Sequence, residues 1–93
     1  MNNLTIHEYF NDVANRLPEE AGNVLRALFT EGKMNKEELS LTAKVKRAVL
    51  DHIIMQLYAL GLVDVTSEGK SKICSVTKLG EEYLDLHKLK PAI

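Results

Sequence analysis

Apolar residues recur along this chain at helical spacing, then switch briefly to strand-like runs. Over 5–17, Ile6, Phe10, Val13 and Leu17 fall on one face of a helical period, with Tyr9 at its margin. Thr5 and Glu8 stand at the capping-box spacing, where a hydroxyl and a carboxylate each satisfy a free amide. Pro18 ends this helix or begins the next, where its missing N–H costs nothing. A second helix is expected over 19–30. Ala21, Val24, Leu25, Leu28 and Phe29 keep the spacing of one buried face. Glu19 and Glu20 suit its electropositive start, and Gly32 offers a left-handed stop.

A short third helix is expected over 36–43, capped by Asn35 with Glu38 completing the box. Leu39 and Ala43 face inward, Lys44-Val45 forms a turn, and Val45 plugs the gap between helices. The fourth helix spans 46–60. Val49, Leu50, Ile53, Ile54, Leu57 and Leu60 form its buried stripe, and Lys46, Arg47, Ala48, Asp51, His52 and Met55 its outer face. Gly61 ends it. Two strands follow over 62–66 and 72–76, joined by the polar connection Ser67-Glu68-Gly69-Lys70-Ser71. A last helix starts near Thr77, with Tyr83, Leu84, Leu86 and Leu89 as its apolar residues, and Pro91 closes it. No repeat, low-complexity segment or linker interrupts the pattern. The chain therefore reads as one domain over 1–93: an N-terminal helix over 1–17, a core over 19–76 and a C-terminal helix over 77–90.

The order helix, turn, helix, hairpin, helix outlines a winged helix-turn-helix. The motifs agree. Glu38-Leu39 opens a turn in which Ala43 is buried and Val45 is the plug. Ile54, Leu57, Gly61, Leu62 and Val63 close the following helix, and Val76-Thr77-Lys78-Leu79-Gly80-Glu81-Glu82-Tyr83-Leu84 follows the wing. From about 24 to 84 the chain resembles the bacterial and archaeal winged-helix transcription regulators, the broad group of MarR-, ArsR- and PadR-like proteins. The resemblance implies an α+β fold with a three-helix core, a two-stranded β-wing and extra N- and C-terminal helices. Two residues depart from the pattern. Lys44 stands where glycine is usual, so a left-handed turn there is strained and another turn shape is open. Lys46 stands where Ser or Thr usually caps the helix.

The composition is that of an ordinary globular domain, with 45% hydrophobic and 27% charged residues over 93 positions. The net charge of −1 does not suit a surface that grips nucleic acid everywhere. Its distribution does suit a local grip. Residues 1–31 carry Arg16 and Arg26 against Glu8, Asp12, Glu19, Glu20 and Glu31. Residues 33–51 carry Lys33, Lys36, Lys44, Lys46 and Arg47 against only Glu37, Glu38 and Asp51. Positive charge thus collects on the helix-turn-helix. No secretory signal pattern and no long apolar run is present, which points to a cytoplasmic protein with no membrane partner.

The resemblance implies that the fourth helix enters the major groove of double-stranded DNA. Arg47 is then the base reader, since its planar fork suits guanine. Lys44 and Lys46 clamp phosphates, Asp51 accepts from a cytosine or orients Arg47, and His52 meets a base or phosphate. Lys70 and Lys72 on the wing reach the adjacent backbone. So few cations bind weakly from one protomer, so a homodimer is expected. Its interface is expected to use Ile6, Phe10, Val13, Leu17, Leu86 and Leu89. The alternative is a winged helix used for contact with a protein partner, as an accessory subunit of a larger complex or a mobile-element protein. Cys74, the one cysteine, reads as buried filler or as a redox sensor. His7, His52 and His87 lack metal-ligand spacing, and no cofactor is expected. No phosphate loop or nucleophile signature is present, so an enzyme is not expected.

Overall fold

Eight elements follow one another in the computed structural model, which describes residues 4–87. They are α1 (Ile6–Arg16), α2 (Glu19–Glu31), β1 (Met34–Asn35), α3 (Lys36–Ala43), α4 (Arg47–Ala59), β2 (Val63–Glu68), β3 (Ser71–Val76) and α5 (Lys78–His87). This is a winged helix-turn-helix. Leu89 and Pro91 lie outside the described residues.

Local chemistry sets the helix starts. The Thr5 hydroxyl accepts from the Glu8 N–H, and the Glu8 carboxylate accepts from the Thr5 N–H. That backbone hydrogen bond holds the Glu8 carboxyl below the usual carboxylate range. Asn35 and Glu38 repeat the device at α3. α2 is the central helix, packed on α3, α4, α5 and β3. That position buries Ala27 as well as Ala21, Val24, Leu25 and Leu28, and it leaves Phe29 at the margin, 45% exposed. In α4 the buried stripe is Leu50, Ile53, Ile54 and Leu57. Val49 was expected in this stripe. It sits about 100° round the helix from Leu50 and is 38% exposed.

The sheet order is β1-β3-β2, all antiparallel. The hairpin is tighter than the expected five-residue connection. Its strands extend to Glu68 and Ser71, leaving Gly69-Lys70 as the turn, with Gly69 at φ +64°. The third strand, β1, was not expected. Met34 pairs with Cys74 and Asn35 with Ile73.

α1 packs on α5, where the Phe10 and Tyr83 rings meet edge to face at 5.2 Å and 86°. Phe10 and Val13 are buried in the protomer's own core. The expectation that they form a dimer interface is corrected accordingly: both are buried within the protomer, Phe10 against Tyr83 of α5.

The turn between α3 and α4 keeps its left-handed shape despite lysine. Lys44 has φ 59° and ψ 47°. The reason is a tether on both sides. The Val45 N–H donates to the Ser40 carbonyl, and the Ser40 hydroxyl donates to the Val45 carbonyl. With Val45 buried as the plug, Lys44 must bridge in the conformation that closes this helix end. Replacing Lys44 with glycine removes left-handed strain of about 1–2 kcal/mol and adds unfolded-state entropy of about 0.5–1 kcal/mol. A net stabilisation is expected in urea unfolding, and an unchanged or lowered midpoint would show that Lys44 is not strained.

A second knot joins the end of α4 to the start of α5. The Thr77 hydroxyl donates to the Gly61 carbonyl and accepts from the Gly80 N–H, while the Thr77 N–H donates to the Leu62 carbonyl. Gly80 lies against that same carbonyl: a Cβ there would stand 2.2 Å from the Leu62 oxygen and 2.7 Å from Val76 Cγ2. Gly80→Ala is therefore expected to destabilise by at least about 2 kcal/mol in the same assay, since the obstacle is backbone held by a hydrogen bond. A midpoint equal to that of the parent chain would contradict the close packing.

Candidate nucleic-acid interface

The site is built around the start of α4. Lys46 stands at the N-cap in extended conformation, and its side chain makes no capping bond. No acidic residue occupies the first turn. The free N–H groups and the positive end of the helix dipole therefore stay available to an anion.

One flank of this helix start borders a groove. The groove exists because β1 is only two residues long. Asn35 pairs with Ile73, then caps α3, so the chain turns away and leaves the outer half of β3 standing clear. Asn35, Lys36, Glu37, Arg47, Asp51, Lys70, Ser71 and Lys72 line the gap. Four of the seven residues expected at the site meet here: Arg47 and Asp51 from α4, Lys70 and Lys72 from the wing. Lys72 Nζ donates to the Ser67 hydroxyl across the hairpin.

Asp51 gathers the charges at the groove. Its Oδ1 lies 3.2 Å from Lys36 Nζ and 3.8 Å from Arg47 Nε. This oxygen is covered and has ionic contacts rather than a well-directed hydrogen bond. The orienting contact expected between Asp51 and Arg47 is thus present but long, and Lys36 is nearer. Lys36 was not among the expected site residues. A cation at the first position of a helix opposes the dipole, but that signal did not single Lys36 out, since Lys78 opens α5 in the same way. Arg47 opens α4 in the same unfavourable place.

Lys44 and Lys46 lie elsewhere. They line a separate depression with Glu20, Val45 and Val49, away from the wing groove. Cations therefore stand on both flanks of the start of α4. His52 is exposed on α4 and lines neither depression.

Of the residues expected at a dimer interface, Ile6 is 54% and Leu86 36% exposed, and Leu17 is partly buried. Leu4 and Tyr9 are also exposed on or beside α1. Cys74 is buried on β3, and that burial pushes its thiol pKa up, which disfavours the reactive thiolate. Burial likewise raises the Tyr83 phenol. Among the described residues, no three His, Cys, Asp or Glu side chains gather as a metal site would need, and no helix is long and apolar enough to cross a membrane.

Solved structures share this fold. TubR bound to 24 bp of tubC, from Bacillus thuringiensis serovar israelensis pBtoxis, is 25% identical with a TM-score of 0.73, covering 95% of this chain and 97% of that one. BpsR of Bordetella bronchiseptica, described by the regulation of its DNA binding by 6-hydroxynicotinic acid, is 18% identical with a TM-score of 0.72, covering 85% of this chain. A MarR family regulator from Neisseria meningitidis is 17% identical with a TM-score of 0.67, covering 86% of this chain. The chain spans 64% of BpsR and 59% of the Neisseria regulator. No curated protein matches in sequence. The family profile described as TFIIE alpha subunit matches residues 8–77, most of the chain and all of the helix-turn-helix and wing. On that match the chain belongs to the TFIIE alpha subunit family, in the winged-helix fold that the MarR family regulator shares.

Proposed function

We propose that this chain is a single winged-helix domain that binds double-stranded DNA as a small transcription regulator. The observation that carries the reading is the placement of cations on both flanks of the start of α4. Lys36, Lys70 and Lys72 border one side, and Lys44 and Lys46 the other. A major groove is about 12 Å wide and bounded by two phosphate backbones. A helix entering it end-first needs positive charge on both shoulders. Arg47 then reaches base edges, and the wing lysines meet the neighbouring backbone. The likeness to DNA-bound TubR, over nearly the whole length of both chains, supports the reading. A use for protein contact alone gains no comparable support. Among the neighbours, the Neisseria protein is a MarR family regulator and TubR is a protein of type III plasmid segregation, which accords with a binding protein rather than an enzyme. Work on DNA accords with a cytoplasmic location.

Titration of mixed-sequence duplex across a salt series tests this directly. Affinity is expected to fall steeply with salt, with non-specific dissociation constants of about 1–100 μM near physiological strength. Replacing Lys46 and Arg47 together with alanine is expected to weaken binding about tenfold or more and to flatten the salt slope by about 1–2. Absence of salt-sensitive binding at tens of micromolar would sink the reading.

The active form is proposed to be a homodimer, with Ile6 and Leu86 as the expected interface residues that stay exposed once Phe10 and Val13 are assigned to the core, and with Tyr9 beside them on α1. Two protomers double the phosphate contacts and match two half-sites. Sedimentation should find a species of twice the 10.4 kDa chain mass, reverting to the single mass in Ile6→Glu. A 10.4 kDa species at high concentration in the parent chain would reject the dimer.

A further inference from the structure

The charge cluster on α4 carries an inference that rests on duplex binding and goes beyond it. We propose that Asp51 is a specificity-determining residue: it restrains Arg47 and Lys36 from indiscriminate phosphate contact and accepts an amino hydrogen from a base edge. Three observations lead there. Oδ1 is covered and lies 3.2 Å from Lys36 Nζ and 3.8 Å from Arg47 Nε. The side chain as a whole is 50% exposed, so with Oδ1 covered its accessible carboxylate oxygen is Oδ2. The carboxylate also lines the groove that Lys70 and Lys72 share, one of the two flanks where a polyanion is to be held.

A carboxylate on that face repels every phosphate and every base-edge acceptor. The repulsion is offset only where a donor faces it. In the major groove those donors are the amino groups of cytosine and adenine, whereas guanine and thymine offer acceptors at the corresponding place. Arg47 and Asp51 are one turn apart on the same face of α4, about 6 Å along the helix, so they meet neighbouring base pairs. Asp51 Oδ1 faces Arg47 at Nε, 3.8 Å away, and the two terminal nitrogens are the ones that would meet the bases. The pair would thus read a guanine beside a cytosine or adenine, and the acid would make wrong sequences unfavourable rather than the right one merely favourable.

The experiment selects duplexes from a randomised pool with the parent chain, Asp51→Asn and Asp51→Glu, and measures salt slopes for each on random duplex. Asp51→Asn keeps the shape and removes the charge. It is expected to bind random duplex about threefold tighter with a salt slope steeper by about 1, as Lys36 or Arg47 turns to phosphate. It is also expected to lose about 5- to 100-fold of discrimination at one base position. Asp51→Glu should restore the parent slope but not the parent base preference, since it returns the charge at a different reach. Equal preference and slope in the parent and Asp51→Asn would overturn the proposal. So would a uniform loss of affinity for all duplexes in Asp51→Asn, which is the mark of a simple brace for Arg47. Lack of salt-sensitive duplex binding in the parent chain would remove the DNA reading itself, and the parent arm alone reports that.

Discussion

The position of the wing depends on one small group of backbone contacts. Thr77 reaches both Gly61 and Leu62 at the end of α4, and Gly80 presses against the Leu62 carbonyl. These residues close the base of the hairpin, where Val63 pairs with Val76. The strands therefore leave α4 at a fixed angle, and α5 departs from the same point. Everything functional is referred to this junction. The wing lysines are placed against the start of α4 through it, and Tyr83 and Leu84 on α5 are brought onto α1 through it. A glycine is required at position 80 because a carbonyl already engaged by Thr77 occupies the space of a side chain.

Several local rules are broken around the turn between α3 and α4. Lys36 and Arg47 open helices at their positive ends, Lys46 leaves α4 uncapped, and Lys44 takes a left-handed conformation. The two dipole conflicts oppose the fold by about 0.3–1 kcal/mol each at exposed sites. Elsewhere there are two complete capping boxes and acidic residues at the starts of α1, α2 and α3, but Lys78 opens α5 against the dipole and α2 starts from Pro18 without a side-chain cap. The exceptions that gather between α3 and α4 accord with the proposed interface, where stability and function would compete. Asp51 relieves part of it by drawing Lys36 and Arg47 together.

Helices were legible because their signals are local. Thr5 with Glu8, Asn35 with Glu38, and the period of Leu50, Ile53, Ile54 and Leu57 each lie within a few turns. The winged-helix order followed from them. What escaped depends on distant partners. β1 is two residues with no period of its own and exists only because β3 passes beside it. Phe10 looked available to a second copy because Tyr83, its ring partner, lies over seventy positions away. Of the candidate interface, the positive charge and its segment were visible. Its division into two flanks was not, since that division depends on which way each side chain leaves the turn. Lys36 was visible only as a charge, because its route to Asp51 crosses from α3 to α4.

The left-handed lysine between α3 and α4 makes position 44 a record of what the chain is selected for. Selection for folding alone favours glycine there, since nothing in the core uses the lysine side chain. Selection for a charged shoulder beside α4 favours lysine and tolerates the strain. In a lineage without the proposed polyanion contact, drift at this single site would run toward glycine while the buried plug next to it, Val45, stayed as it is.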